Sequence, residues 1–248
     1  LRNGLKWSDG SKLTAKDVVY AWQRANDQKT ASEYAYLYSG IKNADAIQAG
    51  KVDKKDLGIK ASGNTLTVSL EKPMPQFKSL LTFPTFFPQK QSFVEKYGKK
   101  YGTTASKTLY NGPYTFKGWN GTNNKFKLVK NKYYWDAKNV KTPEIDLQVV
   151  QKPEVAVQMY KTGKLDSALV NTPQLSQANK TNKGYQITPQ ATTVFLAYNQ
   201  SGNVKALNNK KIRQALNMVT NRSELNSQVL SGTSTPATSF TPKGLSTV

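Results

Sequence analysis

The 248-residue sequence contains neither cysteine nor histidine. The first absence excludes disulfides, thiol nucleophiles and cysteine-based zinc sites, and the second excludes imidazole bases and the triads that need them. We therefore expect no metal site and no cofactor. The lack of cysteine fits an exported protein, and it fits many cytosolic proteins equally. No apolar run is long enough to cross a membrane, and we expect any targeting segment to lie outside these residues.

Acidic residues are scarce, since 15 Asp and Glu face 36 Lys and Arg, for a formal net charge of +21. Such an excess attracts polyanions, among them nucleic acid, anionic membranes and anionic cell-wall polymers. Arginine, the side chain best suited to reading guanine edges and phosphates, is also scarce. It occurs only at Arg2, Arg24, Arg213 and Arg222. Lysines scattered singly along the chain are typical of a solvated surface, so we expect no nucleic-acid partner.

A hydrophobic content of 37% and an aromatic content of 10% indicate a globular chain of one large or two ordinary domains. Near its start, Ser8 to Ser11 reads as a turn, and Thr14 precedes Asp17 at the spacing of a capping box. A helix should begin there, with Val18, Ala21 and Trp22 on its apolar face and Trp7 packed nearby.

Two hairpins are predicted from alternating apolar residues around Gly-Asn and Asn-Gly turns. The first joins 58–62 to 65–71, and the second joins 114–119 to 125–130. Farther along, 145–149 has the pattern of a strand, 153–162 of a helix, and 165–170 of a second strand. This order predicts a right-handed βαβ unit with parallel strands.

The predicted alternation of helix and strand continues with a helix at 173–182 and a strand at 192–198. Ligands of such sheets bind beyond the carboxyl ends of the strands, here near 170–172 and 198–200. Two more helices are predicted at 210–219 and 222–230.

The opening motif, WSDG followed by LTAKD and VYAWQR, resembles the extracytoplasmic solute-binding proteins of ABC importers, in their oligopeptide-binding branch. Later segments resemble the same family in the same order. They are TASEYA at 30–35, DLGIKA at 56–61, LEKPMPQF at 70–77, NGPYTFKGW at 111–119, NKYYWD at 131–136, YKTGKLD at 160–166 and NNKKIRQALNMVTNR at 208–222. The resemblance covers nearly the whole chain and implies an internal fragment of a longer polypeptide.

The resemblance implies an α/β fold of the periplasmic-binding-protein type, in the type II, extended peptide-binding group, and present only in part. Residues 1–90 would form a small α+β accessory domain, and 91–190 part of the first ligand-binding lobe. Residues 191–248 would supply the hinge strand and the truncated start of the second lobe.

The resemblance also implies a monomeric, non-enzymatic binding protein that captures oligopeptides and delivers them to a membrane permease. It implies an extracytoplasmic location, either lipid-anchored at the outer face of the cell membrane or periplasmic. A cell-envelope adhesin or polyanion-binding surface protein is the alternative. An enzyme would need one of the carboxylate pairs, Asp53 with Asp56 or Glu144 with Asp146, and neither has an activating partner in the sequence.

Six peptide-binding residues follow from the resemblance. Tyr34 stands where the family's TAS-x-YA tyrosine lines a side-chain pocket, and ordinary domain packing is the competing interpretation. Val170 and Asn171 stand at a ligand-facing strand end, although Asn171 also suits a helix N-cap. Thr192, Thr193 and Val194 lie on the strand that enters the second lobe, where relatives can carry cysteine and tyrosine, and a plain buried strand explains them as well.

Overall fold

The computed structural model describes residues 1–170, 172–188 and 190–242. Two compact units divide the chain, Leu1–Val149 and Val150–Val248. The three-part division at 90 and 190 refers to the lobes of the family and stays a prediction. In the described part of the chain, no helix has the length and apolar content needed to cross a membrane.

Eight helices and five strands are described, together with several short 3-10 turns. The helices are α1 Ala15–Asn26, α2 Ala44–Gln48, α3 Phe77–Leu80, α4 Gln91–Tyr97, α5 Pro153–Lys161, α6 Pro173–Asn179, α7 Lys210–Val219 and α8 Arg222–Glu224, the last continued by a π-helical turn at Leu225–Val229. The strands are β1 Ile59–Ser62, β2 Thr65–Val68, β3 Tyr114–Lys117, β4 Lys125–Lys130 and β5 Glu144–Gln148.

Helix α1 begins where its capping residues predict. The Thr14 backbone N–H donates a hydrogen bond of 2.7 Å to the Asp17 carboxylate, and the Thr14 hydroxyl lies 3.2 Å from the same oxygen. This bond holds the first turn by satisfying an amide that has no partner inside the helix. Val18, Ala21 and Trp22 are buried, which confirms the predicted apolar face.

The core of the first unit is built around Trp22. Its indole N–H donates to the Phe86 carbonyl at 2.9 Å, and its ring meets those of Tyr38 and Phe86 edge to face. Ile41 and Ile47 belong to the same cluster, as does Ile59 of β1. The polar end of the indole is thus paired inside an otherwise apolar core.

Trp7 lies in a second cluster rather than in the cluster around α1. It packs with Leu13 and Leu109, and partly buried Leu5 and Phe93 complete the group. The extended Trp7 to Leu13 loop folds back on itself through a hydrogen bond from Trp7 N–H to the Ser11 carbonyl at 2.8 Å. Local loop geometry therefore directs this indole away from α1.

Both predicted hairpins are present as antiparallel pairs. β1 pairs with β2 so that Ile59 faces Val68, and β3 pairs with β4 so that Phe116 faces Leu128. β5 then joins β4 as the third strand of the second sheet, again antiparallel. Gly63, in the first turn, has a φ of +55°, which a residue with a side chain seldom adopts.

The predicted parallel βαβ unit is not formed. The strand expected at 145–149 exists as β5, but its hydrogen-bonded partner is β4, which precedes it. Neither 165–170 nor 192–198 contains a strand residue among those described. A β-strand forms only where its backbone pairs with a neighbouring strand, and these segments make no such pairing within the described ranges. The alternation of apolar residues was therefore not sufficient to predict strands here.

The regular elements described in the second unit are helices. Pro153 begins α5 and Pro173 begins α6, each at a position where a missing N–H costs nothing. Gly163 follows α5 with a φ of +70°, the left-handed conformation typical of a helix end. All of these match the predicted helices.

Candidate ligand groove

The second unit contains a groove of about 630 Å³. It lies between the inner sides of α5 and α6 and the extended segments that follow each helix. Its lining is formed by Val157, Tyr160, Asp166, Ser167, Ala168, Leu169, Val170, Thr172, Pro173, Ser176, Asn179, Asn182, Gly184, Tyr185, Gln186, Ile187, Thr188, Gln190, Leu230 and Thr233. A volume of this size is in the range of small-molecule and peptide sites.

Helix α6 is fixed at the groove by its first turn. The Thr172 hydroxyl accepts a hydrogen bond of 3.3 Å from the Leu175 backbone N–H, which caps the helix. One turn later, the Ser176 hydroxyl is hydrogen-bonded to the Tyr185 hydroxyl. This bond joins α6 to the 184–188 segment, so the helix and the segment position each other.

Gly184 lies where this segment passes α5, and a side chain at this position would have to displace the Tyr160 hydroxyl. A Cβ atom there would lie 2.6 Å from the Tyr160 hydroxyl oxygen, closer than real contacts allow. The lack of a side chain thus lets the main chain run along Tyr160 on its way to Tyr185.

Two stretches of the lining that belong to no helix or strand have free main-chain groups. Residues 166–170, 186 and 187 take part in no backbone hydrogen bond within the described part of the chain. Most of these residues are exposed, so water satisfies their N–H and C=O groups while the groove is empty. These stretches therefore present donors and acceptors that another extended chain could satisfy.

The lining is poor in charge. Asp166 is its single carboxylate, and no lysine or arginine belongs to it. Within the described residues, Asp166 makes neither a hydrogen bond nor an ion pair. The remaining polar groups are hydroxyls and amides, which can donate and accept hydrogen bonds.

Of the six predicted site residues, Val170 lies in the groove lining. Asn171 lies outside the described residues. Thr192, Thr193 and Val194 are in an extended segment that is not part of the lining, and Val194 is 92% exposed. Their role in peptide binding stays a prediction.

Tyr34 belongs to the first unit. Its side chain is 46% exposed, and its ring lies against that of Phe83 with centroids 5.1 Å apart. A half-exposed aromatic pair of this kind is compatible with a side-chain pocket and equally with domain packing. The role of Tyr34 also stays a prediction.

Sequence reasoning missed several residues of the groove, namely Tyr160, Ser176, Tyr185 and Ile187. A hydroxyl pair such as Ser176 with Tyr185 gives no local signal, because it depends on how the segment after α6 folds back. The alternation of Tyr185 and Ile187 with polar residues was the one available indication of an extended segment.

The carboxylate pairs considered for catalysis have other partners. Lys127 forms ion pairs with both Glu144 and Asp146, the latter at 3.1 Å. Hydrogen bonds to these two carboxylates, Glu144 first, raise the pKa of Lys127. The Asp53 carboxylate accepts a hydrogen bond of 2.8 Å from the Lys55 N–H and so caps a 3-10 turn.

The whole chain matches a known protein family. Residues 1–247 match the family model described as bacterial extracellular solute-binding proteins, family 5 middle. The chain belongs to this family. The match covers every motif on which the resemblance in the sequence rests.

Among curated relatives of this family member, the dipeptide-binding protein of Lactococcus lactis subsp. cremoris is 49% identical over 257 residues, covering 99% of this chain and 46% of the relative. A probable deoxycholate-binding periplasmic protein of Escherichia coli K12 is 36% identical, covering 98% of the chain and 45% of the relative. This chain thus spans about half the length of the curated relatives that it matches.

Solved structures support the fold class. The structure of Listeria monocytogenes OppA bound to peptide matches with a TM-score of 0.86 and 40% identity, covering 98% of this chain and 48% of the other. The chain therefore has part of a periplasmic-binding-protein-like α/β fold, as predicted.

Proposed function

We propose that this chain belongs to the substrate-binding component of an ABC importer, which captures oligopeptides outside the cytoplasm. The observation that carries the proposal is the groove of the second unit, where two stretches outside helices and strands make no main-chain hydrogen bond to other described residues. A peptide lying between them can pair as an added strand. Main-chain pairing supplies affinity with little demand on the sequence of the peptide.

The composition of the groove supports binding rather than chemistry. A general base or nucleophile needs a partner that activates it, and Asp166 is the only carboxylate in the lining, with no histidine, cysteine or lysine beside it. The proposed protein holds its ligand unchanged. Delivery to a membrane permease, a monomeric state, and lipid anchoring or a periplasmic location complete the proposal by analogy with the family.

Main-chain pairing can be tested with N-methylated peptides. An alanine-rich pentapeptide and the same peptide methylated on two alternate amide nitrogens differ only in two hydrogen-bond donors and two methyl groups. Each lost bond costs about 1 kcal/mol, so we expect roughly tenfold to thirtyfold weaker binding of the methylated peptide. Calorimetry on the full polypeptide encoded by the gene measures the difference.

Hydrogen exchange supplies the second readout. The bound unmethylated peptide should slow amide exchange at 166–170 and 186–188, with no comparable change along α1. Equal affinities for the two peptides, or exchange that stays fast in both stretches, would contradict the proposed mode.

Two controls separate this function from its competitors. Deoxycholate is included because a relative carries that ligand in its name; tight binding of deoxycholate without any peptide binding would overturn the proposal. Raising the salt concentration tests whether the surface lysines bind a polyanion instead. The affinity for a polyanion held by scattered lysines falls steeply with salt, whereas the affinity for a peptide held by main-chain hydrogen bonds changes little.

A further inference from the structure

The electrostatic character of the groove differs from that of the chain around it. The chain has 36 basic residues, yet none of them lines the groove. The two positions outside the described ranges on this stretch, 171 and 189, are Asn and Pro, so neither adds a charge. The groove is thus a site without cations in a strongly cationic protein.

Asp166 is positioned to act on a ligand rather than on the protein. It lies at the start of the first free extended stretch, immediately before Ser167 and Ala168 in the lining. Its carboxylate has no ion-pair partner among the described residues. Lys161 and Lys164 are near it in sequence, but they are exposed and do not belong to the lining.

We infer that this groove discriminates among peptides by charge, accepting neutral and cationic side chains and disfavouring acidic ones. The inference rests on the proposed function and adds a preference to it. An acidic side chain entering the groove meets the Asp166 carboxylate and finds no cation in the lining. A lysine or arginine side chain meets a carboxylate that has no competing partner.

The expected preference is small, because Asp166 is exposed and water screens its field. Peptides that differ only by Lys, Gln or Glu at one position should rank in that order. We expect about a two- to fivefold difference between Gln and Glu at low salt. The overall positive charge acts in the opposite direction, since it attracts acidic peptides from a distance and raises their association rate.

The test uses pentapeptides with alanine at all positions except one, which carries Lys, Gln or Glu in turn at positions 2, 3 and 4. Affinities are measured by competition on the full polypeptide at low and at high salt. Asp166→Asn should abolish the preference for Gln over Glu, and Asp166→Lys should reverse it. Glu154→Gln is the matched control, because it removes one carboxylate from the same unit outside the groove lining and should leave the preference intact.

The outcomes separate the inference from the function on which it rests. If peptides bind but Glu and Gln are equivalent at all three positions, or if Asp166→Asn keeps the wild-type ranking, the charge preference is wrong and peptide binding stands. If no peptide binds to the wild-type protein, the proposed function itself fails. Circular dichroism of each variant shows that it is folded, and the preference is read as the ratio of the Gln to the Glu affinity within one variant, which a uniform change in affinity leaves unaltered.

Discussion

The two units of the chain bury their apolar residues to very different degrees. In the first, a cluster of eleven buried residues contains Trp22, and a second cluster contains Trp7. In the described part of the second, the buried apolar residues are Ala156 and Val157 on α5. Buried apolar area is the main source of folding free energy, so the first unit should be the more stable.

The described part of the second unit instead exposes large apolar residues. Leu169 is 83% exposed, and so is Met218 near the end of α7. Ile212 and Leu216, four residues apart on one side of α7, are each 38% exposed. Regions with few buried contacts open most easily and are the ones that ligands reorganise. The proposed peptide groove thus lies in the weakly packed unit, and most of the buried apolar residues lie in the other.

The largest expected effect comes from the centre of the stable unit. Trp22→Ala removes a buried ring and its hydrogen bond to the Phe86 carbonyl, and we expect a loss of about 3–5 kcal/mol in the free energy of unfolding. Urea unfolding followed by circular dichroism measures it.

Trp135→Ala is the matched control for this substitution. Trp135 is 52% exposed, and its main contact is the Arg2 guanidinium 3.9 Å from the ring centroid. Its removal should cost about 1 kcal/mol or less. Similar losses for both tryptophans would show that burial in the first unit does not determine its stability.

Substituting one buried valine in each unit compares the stabilities of the two units directly. Val18 on α1 and Val157 on α5 are 7% and 5% exposed, and each becomes Ala in one variant. We expect either change to cost about 2 kcal/mol locally. In hydrogen exchange, Val18→Ala should lower the protection of the slowest-exchanging amides of the first unit. Val157→Ala should speed exchange in α5 and α6 only.

The opposite pattern would break the comparison. If Val157→Ala lowered the protection of α1 as much as Val18→Ala does, the two units would unfold together, and their unequal burial would not be reflected in separate stabilities.

The parts of this fold that could be predicted from the sequence are those held by interactions between residues close together in the chain. Thr14 with Asp17 and the turn at Gly63 act within a few residues, so α1 and both hairpins could be predicted. The pairing of 145–149 could not, because it depends on which backbone lies beside it, and β4 was the available neighbour. The alternating apolar residues at 165–170 and 192–198 likewise do not show whether a neighbouring strand is present to pair with them.

The groove was predictable only in part for the same reason. The rule that ligands bind beyond strand ends led to Val170, which is in the lining, although the segment before it is not a strand. Tyr160 and Tyr185 reach the groove through the close passage at Gly184, a contact between distant residues that neither composition nor spacing encodes. Family motifs identified the type of protein better than they identified its contacts.

The smallest effect tests the polar contact inside the stable core. The Tyr38 hydroxyl donates a hydrogen bond of 2.6 Å to the Thr85 carbonyl, and burial raises the pKa of Tyr38 above its ordinary value of 10.0. Tyr38→Phe should therefore cost about 1 kcal/mol at pH 7, because it leaves that carbonyl without its partner. Tyr185→Phe, which alters the groove of the second unit, should leave the unfolding of the first unit unchanged.

Alkaline pH distinguishes this contact from simple packing. Above pH 10 the tyrosine ionises in the unfolded chain and keeps its proton in the folded one, so wild-type stability falls by about 1.4 kcal/mol per pH unit from this residue. The Phe variant lacks that loss, while Tyr101 and Tyr110, whose pKa values burial also raises, contribute equally to both proteins. The two stability curves should meet near about pH 11. A constant difference from pH 7 to pH 11 would mean that Tyr38 can ionise within the folded unit, and the core around Trp22 would then be far more open to water than its burial indicates.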